Sequence, residues 1–131
     1  MRKEEEMSPE PTTTTSSADA LTSRLTRTVL QQSPSSIPGR EIVQVLTEIP
    51  PGVESGWHVH PGHDTYVFQT QGRLRLEFGP GGTESVEGGP GDFVLIPKGV
   101  VHREGNPGTE PNEAIVVRVG EGEVLVNVDG P

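Results

Sequence analysis

The chain is expected to fold as a single all-β domain, an antiparallel sandwich or barrel of short strands. Three observations lead there. A length of 131 residues suffices for one domain with a buried core and falls short of two. Gly (17) and Pro (13) are abundant, and both are excluded from the helix interiors that a bundle would need. Apolar residues recur with period two, in short runs bounded by those turn residues.

Residues 1–25 read as a polar tail and 26–131 as the domain. The acidic run Glu4 to Glu6 and the Thr12 to Ser17 run offer little to bury, so the entropy of ordering goes unopposed and disorder is expected. Leu21, Leu25 and Val29 recur at helical spacing, but Thr22, Thr26 and Thr28 around them favour an extended segment over Thr26–Gln31. Ile42 to Ile49 is a strand stopped by Pro50-Pro51-Gly52, and Trp57 to His60 is a short one before the Pro61-Gly62 turn. Thr65 to Thr70 follows. In Arg73 to Phe78 the alternation is clearest: Leu74, Leu76 and Phe78 share one face, and charges take the other. Thr83–Glu87, Phe93–Ile96, Glu113–Val119 and Glu123–Val128 complete the set, separated by Gly- and Pro-rich turns.

The charge balance narrows the partners. With 10 Lys+Arg against 19 Asp+Glu, the net charge of −9 argues against nucleic acid and against anionic membranes. No apolar run is long enough to span a bilayer, and no apolar stretch follows the N-terminus as in a secretory signal, so the expected location is cytoplasmic. The absence of cysteine removes disulfides, thiolate ligands and thiol nucleophiles together, leaving His and oxygen ligands for any metal.

Three of the four histidines, His58, His60 and His63, fall within six residues. His58 and His60 are two apart, so a strand projects both to one face, a good start for a first-row metal site. His102 completes a three-nitrogen set if the sheet folds back over itself. A His-x-His pair alone also suits two satisfied or solvent-facing side chains.

The flanking residues favour the metal. Gly52, His58-x-His60, Thr65 and Gly72, separated by five, four and six residues, match the first cupin motif at all positions but one. Gly91, Pro97-x-Gly99, His102 and Asn106, separated by five, two and three residues, match the second throughout. Over roughly Thr26 to Val128 the chain thus resembles a small single-domain cupin. The resemblance implies a β-jelly roll, a homodimer, and one divalent metal per chain held by His58, His60 and His102. Fe²⁺ is favoured, and Zn²⁺, Mn²⁺, Ni²⁺ or Cu²⁺ suit the same ligands.

The departure is at Thr65, where most cupins carry a metal-binding Glu. Asp64 reaches the interior only if the preceding turn shortens by one residue. His63 is expected to be an exposed turn residue rather than a ligand. With Thr65 inward, Val67 and Gln69 follow by period two, and Gln69 becomes a buried amide bonded to a metal-bound water, a substrate oxygen or a backbone group at the rim. Gln69 is the candidate catalytic residue. Phe93 and Leu95 are expected inward as an apolar wall, with Trp57, Tyr66 and Phe68 outward. Asn106 reads as a turn-former and Arg118 as the partner of an acidic neighbour.

Resemblance to three-histidine cupins implies non-haem iron dioxygenation of a small organic substrate that chelates the metal. Lewis-acid cyclase, isomerase or lyase chemistry on Zn²⁺, Ni²⁺ or Mn²⁺ is the alternative within the enzyme class. A non-catalytic small-molecule-binding cupin is the alternative outside it.

Overall fold

A computed structural model describes residues 17–20 and 25–131. Its strands, in chain order, are β1 (Ser17–Ala20), β2 (Thr26–Pro34), β3 (Glu41–Ile49), β4 (His58–Val59), β5 (His63–Gln71), β6 (Leu74–Phe78), β7 (Glu84–Gly88), β8 (Phe93–Ile96), β9 (His102–Gly105), β10 (Asn112–Gly120) and β11 (Val126–Asn127). They form two antiparallel sheets, ordered β1-β2-β3-β10-β5-β8 and β11-β4-β9-β6-β7. This is the expected all-β jelly roll. Among the described residues no helix is long and apolar enough to cross a membrane.

Period-two burial runs through the longer strands. In β10 the inward residues Asn112, Ala114, Val116, Arg118 and Gly120 are buried, while their neighbours are only partly so. Register then lays these residues into rows across the larger sheet. One row is apolar, Val45–Val116–Val67–Val94. The row beside it is Val43–Arg118–Thr65–Ile96 and carries polar groups. Leu74 and Leu76 of the smaller sheet join the same core cluster, so the two inner faces close on one another. The motif glycines Gly52, Gly72, Gly91 and Gly99 all take positive φ, at 76°, 74°, 91° and 84°, a region that side chains with a Cβ avoid.

Two expectations need correction, and one strand went unmarked. Ser17–Ala20, placed in the polar tail by composition, pairs with β2 from Ser17↔Val29 to Ala20↔Thr26. A strand at a sheet edge is held by main-chain hydrogen bonds, which composition does not report. Leu25, the last residue of that tail, is fully buried in the core, and residues 1–16 and 21–24 lie outside the described residues. Phe93 and Leu95 face outward, at 74% and 55% exposure, rather than lining the interior. The register decides this: they pair with the outward Phe68 and Tyr66, which leaves Val94 and Ile96 to point inward, and β8 belongs to the same sheet as β5. The stretch from His102 to Gly105 is a strand that apolar alternation did not mark.

Trp57 is part-buried beneath the Arg103 guanidinium, 4.6 Å from its ring, and Arg103 in turn donates to Glu77 at 2.6 Å. Asn106 does form the expected turn, accepting from Gly108 N–H at 2.9 Å, and also donates to Ile49 O and Glu110 O at 2.9 and 2.7 Å.

Candidate metal centre

Strand β4 lies between β11 and β9, and its His58 is fully buried. His58 and His102 are direct register partners, with ring centroids 4.3 Å apart. His60, one residue past the end of β4, stands 5.2 Å from each of them. All three are buried, and one ring nitrogen from each falls within 4.8 Å of the others.

Their second nitrogens are fixed by backbone. His58 Nδ1 lies 2.8 Å from Gly56 O, His60 Nδ1 2.7 Å from Val124 O, and His102 Nδ1 2.9 Å from Val100 O. A carbonyl only accepts, so each ring donates from Nδ1 and keeps its lone pair on Nε2. The Nε2 atoms of His58 and His102 are buried without any hydrogen-bond partner. Such orphaned acceptors are costly in an interior unless something binds them. Three neutral imidazoles with anchored Nδ1–H groups and converging Nε2 lone pairs fit a divalent transition metal.

Electrostatics keep the rings neutral. Burial pushes His58 down to about 4, against the opposing pull of Glu104. Burial, and then the charge of Arg118, pushes His60 down to about 3. His102 is lowered as well, chiefly by burial. No proton therefore competes for the lone pairs near neutral pH.

The inner wall carries three charged residues beyond the histidines. Glu104 follows His102 by two residues and so shares its inward face; its Oε1 accepts a hydrogen bond from Arg27 Nη2 and lies 3.8 Å from His58 Nε2. Burial disfavours the charge on Glu104, but Arg27, aided by His58, His102 and Arg118, outweighs it and holds the carboxyl well below the usual carboxylate range. Arg118 makes no ion pair among the described residues, contrary to the expected acidic partner, and burial pushes its guanidinium down to about 10, still charged at neutral pH. The pairing fails because β10 points Arg118 inward, away from the acidic surface.

The structure thus brings His58, His60 and His102 together. Gln69 is a buried amide, as expected: its Nε2 donates to Gln71 O at 2.7 Å, its Oε1 is buried without a partner, and it sits four residues beyond Thr65 on β5. Thr65 is buried and inward with its Oγ1 unpartnered, whereas Asp64 faces out and accepts the Lys98 N–H at 3.0 Å. The carboxylate nearest the histidines is therefore Glu104, which neither Asp64 nor Thr65 anticipates. His63 is fully buried rather than exposed. Close approach of Gly62 and Gly120 draws the start of β5 against the end of β10, and His63 Nε2 comes to lie 3.6 Å from Glu41 Oε1.

Sequence comparison bears directly on this geometry. The family model described as "Cupin domain" matches residues 45–118, more than half of the chain and a span that contains all three histidines. The chain belongs to the cupin family. No curated protein matches the sequence of this cupin. Among solved structures, a protein with a double-stranded β-helix domain from Klebsiella pneumoniae is 22% identical, with a TM-score of 0.66, over 84% of this chain and 89% of that one. An oxalate oxidase is 22% identical at a TM-score of 0.59, over 66% of this chain and 46% of that one. The DMSP lyase DddQ from Ruegeria pomeroyi is 25% identical at 0.57, over 66% and 43%. This cupin spans under half the length of either enzyme, and the likenesses below 25% identity speak to fold alone.

Proposed function

We propose that this cupin is a metal-dependent enzyme acting on a small organic molecule, with one divalent ion, Fe²⁺ by preference, held by His58, His60 and His102. The observation that carries the reading is the pair of buried, partnerless Nε2 atoms on His58 and His102, each on a ring whose Nδ1–H is tied to backbone. A ferrous ion in such a nitrogen set supplies O₂ and electron-transfer chemistry, and the reaction class proposed is dioxygenation or a related oxidation. The chain's own contribution is to position and to exclude water. The carbonyls of Gly56, Val124 and Val100 fix the three tautomers. Glu104, locked by Arg27, sets a negative charge beside His58. The valine row Val45–Val116–Val67–Val94 keeps the neighbouring interior dry.

A second reading keeps the ion as a Lewis acid in lyase-type chemistry. The 25% identity to an enzyme described as a DMSP lyase favours it. One experiment separates the readings: measure bound metals in the purified protein, then follow O₂ uptake with β-diketones, catechols and thiols after iron loading. Metal with O₂ uptake supports the oxidative reading. Metal with turnover of other substrates but no O₂ uptake supports the Lewis-acid reading. A protein that takes up no metal is a non-catalytic binding module, and the proposal fails.

A further inference from the structure

Charge does not balance inside the barrel. Arg27, Arg118 and Glu104 are 3%, 4% and 7% exposed, so two guanidinium groups share the interior with one carboxylate. Arg27 spends only Nη2 on Glu104, and its Nε and Nη1, like Nε of Arg118, are buried with no partner. The Oγ1 of Thr65, whose Cα pairs directly with that of Arg118, is buried and unpartnered too. Glu41, the other carboxylate near this end of the barrel, stands 3.6 Å from His63 Nε2 and makes no ion pair with Arg118. The neutral histidines offset nothing, and a bound divalent cation adds charge of the same sign. A buried, unpaired guanidinium is strongly unfavourable unless an anion meets it.

We propose that the interior beside the three histidines is a subsite for the carboxylate group of a small organic acid, held by Arg118 and the Thr65 hydroxyl. A planar carboxylate matches the guanidinium fork, with two oxygens for parallel N–H donors. The subsite names the substrate class of the site described above and rests on that reading for its place, but not on the metal's identity.

The probe is acetate, titrated at pH 7 into metal-free and zinc-loaded protein. Calorimetry and thermal melting report binding, with sodium chloride at equal ionic strength as the control. Acetate is expected to bind the metal-free protein at one site per chain and to raise its melting temperature above the chloride control. Arg118→Gln is expected to weaken that binding about tenfold or more, the size of a lost hydrogen bond to a charged group. Thr65→Val, which preserves shape, weakens it by a smaller factor and serves as the readout should Arg118→Gln not fold. Acetate indistinguishable from chloride, or binding unchanged in both variants, overturns the subsite. If zinc is retained while acetate ignores Arg118, the subsite falls and the metal reading stands. If no metal is retained while acetate binding depends on Arg118, the metal reading falls and the subsite stands.

Discussion

His58 stands directly opposite His102 in the β4–β9 ladder, and their rings meet 4.3 Å apart. The two motifs of the chain are thus joined at two of the three grouped histidines by backbone pairing itself. A single register position holds both imidazoles, and β4 is only two residues long. The site needs the closed barrel around it to keep that pairing, because so short a strand has little stability of its own.

The ligand assignment predicts a pattern of metal retention. His58→Ala, His60→Ala and His102→Ala each lose the ion, while His63→Ala keeps it, since His63 lies by Glu41 rather than within the three-histidine group. Elemental analysis of the purified variants, with circular dichroism to confirm folding, reads this out. Metal loss in His63→Ala together with retention in His102→Ala sinks the assignment.

Acid is expected to act on these same rings. In the unfolded chain His58 and His60 take up protons near 6.5, and in the folded protein only near 4 and 3. Between those values the unfolded state binds more protons, so stability falls as the pH drops from about 6.5 toward 4. His58 alone accounts for on the order of 3 kcal/mol of that loss. Glu104, held below its ordinary value, adds a further loss once the pH passes below 4.5. Urea melts of metal-free protein at pH 7.5, 6 and 5 check the sign, and a flat profile contradicts it.

Periodicity made most of the barrel legible, because burial in Val43, Val45, Val67 and Val116 writes itself as alternation. It failed at β9 for a physical reason. The inward residues there are His102 and Glu104, so a strand built to carry the site shows no apolar stripe. Arg27 and Arg118 were hidden likewise, each a charge placed where the period of two called for an apolar side chain. His102-x-Glu104 on one strand face was the available signal. Parity in β8 was different in kind. Phe93-Val94-Leu95-Ile96 is apolar at every position, so only its pairing with β5 could decide which residues face the core.

The Arg27–Glu104 pair gives a prediction about stability. Arg27→Met leaves a buried carboxylate without its ion-pair partner, at a cost of about 3–5 kcal/mol. Adding Glu104→Gln to that variant recovers most of the loss, because the uncompensated charge goes with it. Chemical denaturation of the two single variants and the double closes the cycle. Additive losses in the double variant argue against a coupled pair.

Gly62 and Gly120 lie where the start of β5 meets the end of β10. A Cβ at Gly120 overlaps Gly62 O, and one at Gly62 overlaps Glu121 O, so neither glycine has room for a side chain. Gly120→Ala is expected to destabilise by about 1–3 kcal/mol, the usual effect of overpacking. It also displaces the start of β5, and with it His63. A melting temperature equal to that of wild type shows instead that the two strands separate freely.

Thr65 offers the sharpest test of what the interior is built for. It occupies the motif position where most cupins have a carboxylate, faces inward with a free hydroxyl, and pairs with Arg118. Thr65→Glu places a tethered carboxylate between that guanidinium and the three imidazoles. Two consequences follow from the same substitution: metal affinity rises, by about tenfold if the new carboxylate joins the ligand set, and acetate no longer binds because its place is filled. Competition with a chromogenic chelator measures the first, and calorimetry with acetate the second. Tighter metal with undiminished acetate binding locates the anion elsewhere, and weaker metal in a folded variant means that position 65 does not face the histidine nitrogens.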